Sequence, residues 1–310
     1  VTLPTYDILL IGDYFFDQIY TGLSEFPELG REICTSGLTT TGGAMYITAA
    51  ALTRLGVNVG WAAYFGNDYY SQFVRNLALR EGVDLSLAKN SDQCYRLVTT
   101  SLPYQGERAF VTFADPEPPD VYDHWLDSLN HSDFKHLHLG GMERTVFTRA
   151  VIRRAKERGA TVSLDCSDGS HLNNPCDCRE TLALADIFMP NAREALVVSE
   201  KSDLPSALKV LTGLVKLVVI KDGANGCWIG QGDDVIHIPG IDPGAVIDTT
   251  GAGDCFSAGF LRGWVCENAP LATCGCYGNI CGGLSVTGVG GATAAPTYEQ
   301  MMRWMEKTCV

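Results

Sequence analysis

The sequence is poor in positive charge: 23 lysines and arginines stand against 36 aspartates and glutamates in 310 residues, a formal net charge of −13. Without a basic face to displace counterions, nucleic acid is not expected as a partner. The acidic balance serves solubility and leaves ATP open, because a few local donors can hold a phosphate in an acidic protein. No apolar run approaches the roughly 20 residues a membrane helix needs. The opening stretch Val-Thr-Leu-Pro-Thr-Tyr-Asp lacks a basic region followed by an apolar core, so no signal peptide is expected. A cytoplasmic location with reduced cysteines is the matching expectation. Twelve cysteines and six histidines occur, but no Cys-X-X-Cys and no His-Glu-X-X-His. The Cys-X-Cys pairs Cys176/Cys178 and Cys274/Cys276 do not suggest zinc, which leaves free thiols as the expectation. Also missing are Gly-X-X-X-X-Gly-Lys-Ser/Thr, His-Arg-Asp and Asp-Phe-Gly, so P-loop and protein-kinase mechanisms are excluded.

What is present is a hydrophobic content of 46%, enough for a sizeable core. Apolar strand-like runs at Ile8–Gly12, Val57–Phe65, His136–Gly140, Thr161–Asp165, Ile187–Pro190 and Leu217–Lys221 alternate with helical patterns. Ala44–Leu55, Tyr69–Glu81 and Thr145–Arg158 are the clearest helices. This alternation predicts an α/β fold with a parallel sheet, helices on both faces and ligands at the strands' C-terminal ends. Residues 18–41 and 93–114 break the rhythm and read as extended pieces, the second turning at Pro103-Tyr-Gln-Gly106. Asp115-Pro-Glu-Pro-Pro119 reads as a hinge or as a plain surface loop.

The most informative stretch is Ile247-Asp-Thr-Thr-Gly-Ala-Gly-Asp-Cys-Phe-Ser-Ala-Gly-Phe260. Gly251 and Gly253 free the backbone for a sharp turn, and the helical spacing of Phe256, Phe260 and Leu261 follows. A helix N-terminus after such a turn offers unpaired N–H groups to an anion. Asp254 is out of place in a simple phosphate cradle, since a carboxylate repels phosphate. One reading makes it a base that takes the proton of an attacking hydroxyl; the other is an acid in a helix's first turn, where acids are favoured.

The string Asp-Thr-Thr-Gly-Ala-Gly-Asp-X-Phe resembles the C-terminal signature of the ribokinase-like (PfkB) carbohydrate kinases. Gly42-Gly43, a small-residue helix ending in Leu55-Gly56, and Gly66-Asn67-Asp68 resemble the family's N-terminal signature. Asn191-Ala-Arg-Glu194 is similar to its Asn-X-X-Glu motif, and the blocks keep family order over essentially the whole chain. The resemblance implies a ribokinase-like three-layer sandwich with a mostly parallel central sheet, formed by one domain over residues 1–310. It also implies a small β-sheet lid from about 18–41 and 93–114, through which a homodimer is expected.

The resemblance further implies site residues. Asp254 would be the general base, with the N–H groups of Gly251, Ala252 and Gly253 stabilising the transferring phosphoryl group. Asp17 would bind two sugar hydroxyls, as a carboxylate can accept from both; a loop-capping role is its other reading, and Asp13 is the weaker candidate for that contact. Gly42 and Gly43 would line the sugar. Ala44, Ile47 and Phe15 stand where ribokinases carry polar groups, which makes ribose doubtful as substrate. Asn191 and Glu194 would organise Mg2+ and water, and they equally fit a helix capping box. Lys221, Gly223 and Gly226 would border the nucleotide, Lys221 reaching a phosphate or standing in solvent, and Asn279 would neighbour the adenine. Asp248 and Thr250, with carbonyls near Ser285–Gly291, resemble a loop that holds a monovalent cation such as K+; ordinary loop hydrogen bonding is the alternative. The expected activity is ATP-dependent phosphorylation of a primary alcohol on a small sugar, with a nucleoside kinase as the alternative and a non-catalytic sensor as a more distant one.

Overall fold

The computed structural model describes residues 3–105, 107–142, 145–166 and 175–308. The N-terminal half runs β1 (Thr5–Ile11), β2 (Tyr14–Thr21), β3 (Gly37–Ala44), α1 (Met45–Arg54), β4 (Val59–Trp61), β5 (Tyr64–Phe65), α2 (Tyr69–Glu81), β6 (Lys89–Asn90), β7 (Leu97–Tyr104) and β8 (Glu107–Ala114). Then come α3 (Val121–Asn130), β9 (Asp133–Leu139), α4 (Thr145–Glu157), β10 (Thr161–Asp165), α5 (Pro175–Leu182), β11 (Ile187–Met189), α6 (Ala192–Ser199) and α7 (Leu204–Thr212). The chain closes with β12 (Leu217–Lys221), β13 (Cys227–Gln231), β14 (Asp234–Ile238), α8 (Ala252–Leu261), α9 (Leu271–Ser285) and α10 (Tyr298–Thr308).

Eight strands form the large sheet in the order β14-β13-β12-β11-β10-β9-β1-β4. From β4 to β12 every pairing is parallel, and β13 and β14 then add antiparallel, β13 to β12 and β14 to β13. The parallel strands are apolar and buried almost throughout because helices cover both faces. Neighbouring residues of β13 show the two layers: a side chain at Gly230 would strike Leu208 and Thr212 of α7, whereas Ile229 faces Gly275 of α9. After β1 the chain supplies β4 on one side and later β9 on the other. The strand order therefore reverses beside β1, and a crevice opens between the ends of β1 and β9, the general location of ligand sites in such sheets.

The small sheet has the order β3-β2-β7-β8. Its boundaries differ from the sequence expectation at the first segment, since β2 begins at Tyr14 and β3 runs to Ala44. Gly12 explains the early start. Its φ of +148° lets the chain leave β1 and enter β2 almost at once, and a side chain there would meet Met45 Cγ at 2.7 Å. The second segment pairs as a hairpin, Tyr104 opposite Glu107, with Gln105 at φ +51° in its turn; Gly106 lies outside the described residues. Arg96 clamps the start of the following segment, donating from its guanidinium to both Asp115 oxygens at 2.9 Å. Among the described residues no helix is long and apolar enough to cross a membrane.

Candidate active site

At the C-terminal ends of β1 and β9 lies a cavity of about 480 Å3 between the large sheet and the small one. Gly12 and Asp13 contribute from the first strand, Leu139, Gly140 and Gly141 from the second, and Phe15, Ala44 and Met45 from the small-sheet side. Tyr95, Trp125 and Phe147 add an aromatic wall, and Asp254 closes the cavity. A more open groove of about 600 Å3 lies at the opposite strand ends, where Lys156 binds Asp186. It gathers none of the glycine, asparagine or aspartate motifs of the sequence.

Asp254 reaches the cavity because of how α8 begins. Gly251 turns with φ +70°, and a side chain there would come within 2.7 Å of both Gly291 Cα and Ile47 Cδ1. No side chain caps this helix. The Ala252 N–H donates weakly to the Thr249 carbonyl at 3.3 Å, and the helix dipole still points its positive end at this turn, where an anion is favoured. The Thr48 hydroxyl donates to Asp254 Oδ1 at 3.4 Å. Burial, reinforced by the Asp165 carboxylate and opposed by Lys221, pushes the Asp254 pKa up to about 7.

The other candidates fall into distinct places. Asp17 sits on β2, 7% exposed, with its carboxylate against Gly43: a side chain on Gly43 would lie 2.3 Å from Asp17 Oδ2. Burial, then the charges of Asp254 and Asp248, raise the Asp17 pKa to about 7. Asp13, the weaker candidate by sequence, is the one that lines the cavity, and it accepts from the Tyr95 hydroxyl at 3.1 Å. Phe15 and Ala44 also line the cavity. Ile47 does not; it packs beneath the backbones of Gly251 and Gly291, and Gly42 faces the Tyr46 ring instead.

Asn191 and Glu194 form a complete capping box at α6, with bonds of 2.9 and 2.8 Å. Lys221 is not solvated. Its ammonium binds Asp165 Oδ1 and Oδ2 at 2.7 and 2.8 Å, and a side chain on Gly253 would lie 3.3 Å from its Nζ. Burial alone would lower the Lys221 pKa, but Asp165, Glu194 and Asp254 outweigh it and hold the value above that of an ordinary lysine. Gly223 and Gly226 bound the tight turn into β13, where the Asp222 N–H donates to the Gly226 carbonyl at 2.8 Å. Asn279 is buried and spends its amide on the carbonyls of Ile238 and Pro239, at 3.1 and 2.9 Å. Asp248 accepts from the Thr250 N–H and hydroxyl and from the Gly290 N–H, at 2.8 to 2.9 Å. These bonds join the signature loop to the segment after α9.

The glycine turn, its aspartate and the strand-end cavity coincide in space, and a family model described as pfkB family carbohydrate kinase matches residues 7–298. The chain belongs to the pfkB family of carbohydrate kinases. It is similar to a fructokinase of Klebsiella pneumoniae, with 29% identity over 285 residues, 84% of this chain and 91% of that protein. A nucleoside kinase of Methanothermobacter thermautotrophicus is 27% identical over 96% of this chain and 95% of its own. The Arabidopsis thaliana ribokinase solved with ribose and ATP superposes with a TM-score of 0.80 over 99% of both chains, at 20% identity, which shows a shared fold. The kinase is a phosphotransferase with an alcohol group as acceptor.

Sequence reasoning missed several residues in and around the candidate site. Tyr95, Trp125, Phe147 and Asp165 belong to none of the quoted motifs, and Thr48 and Ser257 lie inside quoted stretches but were given no role. Asp165 had a usable signal, because it ends a strand expected to be parallel, where ligands gather. Arg108 of the small sheet was also missed, and its guanidinium reaches across to the Thr250 hydroxyl at 3.2 Å.

Proposed function

We propose that the kinase transfers the γ-phosphoryl group of ATP to a primary hydroxyl of a small sugar or sugar derivative, with Asp254 as general base. The observation that carries this reading is a buried carboxyl, its pKa raised to about 7, at the wall of the cavity and in the first turn of a helix that no side chain caps. A base with a pKa close to the working pH both accepts the hydroxyl proton and remains ionised between turnovers. The N–H groups of Gly251, Ala252 and Gly253 face developing negative charge. Kinases of this family use ATP with Mg2+. Among the described residues no three His, Cys, Asp or Glu side chains converge as a metal cage. That fits Mg2+, which keeps water and phosphate oxygens as most of its ligands, with Asn191 and Glu194 ordering the water. When bound, the ion supplies charge neutralisation on the phosphates. Asp17, which lies outside the cavity lining but feels the charge of Asp254, anchors the acceptor together with the Gly43 backbone, and the small sheet acts as a lid that excludes water.

A nucleoside is the second acceptor class, favoured by the aromatic wall of Tyr95, Trp125 and Phe147, which suits a flat base. The test is a coupled ADP-release screen over fructose, ribose, 2-keto-3-deoxygluconate, inositol and nucleosides, run beside Asp254→Asn. Turnover with at least one alcohol, lost in the variant, is the expected result. Equal turnover in the variant would remove Asp254 from its role.

A further inference from the structure

The ion pair between Lys221 and Asp165 is buried, with side chains only 11% and 9% exposed. Such a pair is costly to desolvate and is weak evidence for stability by itself. Its surroundings point to chemistry. Asp165 accepts from both the Cys166 N–H at 2.8 Å and the Ser257 hydroxyl at 3.0 Å, besides the two contacts from Lys221. Ser257 lies one turn beyond Asp254 on α8, so the pair is fixed under the same helix whose first turn forms the candidate phosphate site. The ammonium rests against the Gly253 backbone. It carries three donors, and Asp165 occupies two.

Three carboxylates face Lys221: Asp165 from β10, Glu194 from α6 and Asp254 from α8. Bidentate pairing with the first keeps the cation from the third. The Asp165 charge is also felt by the Cys166 thiol, which burial pushes well up and keeps protonated, and by His138 of β9, which burial holds neutral with a pKa of about 4. Without Asp165, an unpartnered ammonium would turn to Asp254 and neutralise the base.

We propose that Asp165 is a positioning residue: it fixes Lys221 beneath the glycine turn as the cation for the transferring phosphoryl group, and keeps that cation from pairing with Asp254. The inference rests on the phosphoryl-transfer reading given above. Nothing in the signature motifs assigns a role to Asp165.

The test compares Asp165→Asn, Lys221→Met and the double variant with the wild-type chain, by melting midpoint without ligands and by steady-state ADP release with the best acceptor. Each single variant strands a buried charge and lowers the midpoint by roughly 5–8 °C. The double variant removes both charges and returns to within about 2 °C of wild type. Its kcat nevertheless stays about 10²-fold or more below wild type, because a group acting on the transferring phosphoryl is gone. The KM for the acceptor changes less than about threefold, since Asp17 and the cavity wall are intact. Asp165→Asn alone lowers kcat at least tenfold while Lys221 is still present. A double variant with kcat within about threefold of wild type would overturn the proposal, leaving the pair a structural one. So would a double variant as unstable as the singles, or an Asp165→Asn protein with wild-type kcat. If the wild-type chain releases ADP with no alcohol, the transfer reading itself falls, while the melting series still reports whether the two charges compensate each other.

Discussion

Replacing Asp254 with Asn removes a buried carboxylate that the fold holds at an energetic cost, so the variant is expected to lose activity and gain stability together. The sign follows from the pKa. Unfolded, the side chain titrates at an ordinary aspartate value near 3.8; folded, it titrates near 7. Below pH 4 both states are protonated and the group makes no difference. Between pH 4 and 7 the unfolded chain ionises first, so wild-type stability falls as pH rises, and above 7 the loss is complete. A shift of about three units at 1.36 kcal/mol each corresponds to about 4 kcal/mol. With an unfolding entropy of about 2.1 cal/mol/K per residue, that moves the melting midpoint by about 6 °C for a chain of this length. Scanning calorimetry of both proteins from pH 4 to 8 should show coincident midpoints at pH 4. A gap then opens in favour of Asp254→Asn and levels off above pH 7. In parallel, kcat falls by about 10²–10⁴, while ATP binding changes little because the backbone donors remain. For the wild type, kcat/KM should rise about tenfold per pH unit up to about 7 and then flatten. A variant no more stable than wild type at pH 8 would refute the burial argument, and one with full kcat would refute the base.

Four further outcomes are expected. Asp17→Ala should lower kcat/KM for every acceptor by roughly ten- to a hundredfold, as a shared anchor worth 1–3 kcal/mol is lost; an effect confined to one sugar would contradict it. Ile47→Asn should lower the melting midpoint by roughly 2–5 °C and leave ribose a poor substrate, because position 47 supports the glycine turn and does not line the cavity; a gain in ribose use would show otherwise. The small sheet should lose hydrogen-exchange protection before the body and recover it with substrate, and Arg108→Ala should weaken that recovery by cutting the link to Thr250. Sedimentation at increasing concentration should reveal a homodimer through the small sheet, whose Leu38, Phe110, Val111 and Phe113 are exposed; a monomer at every concentration would remove it.

Much of the fold was legible because local chemistry and the tertiary structure agree. Leu217–Lys221 and Thr161–Asp165 are apolar runs buried on both faces, and each was found to the residue. Tyr69–Glu81 was equally clear, with Asp68 capping it through bonds to Tyr70 and Ser71 and Gly82 ending it in the left-handed region. The edge hairpin of β13 and β14 was not found. Its outer strand is mostly exposed and its alternation weak, so burial left little imprint on its composition.

The sequence alone determined the family and the location of the turn that carries Asp254, since a glycine-flanked aspartate before an apolar helix is a local pattern. It also yielded the capping box of Asn191 and Glu194, a three-residue relation. Tertiary structure decided which side chains share the cavity. Asp13, in the turn between β1 and β2, lines it, and Ile47 of α1 does not, because it packs against Gly251 and Gly291. It decided that Lys221 is paired, because the partner Asp165 lies 56 residues away along the chain. It also decided the titration of Asp254 and Asp17. A carboxyl's pKa depends on the solvent it loses and the charges brought near it, and neither is written in its immediate neighbours in sequence.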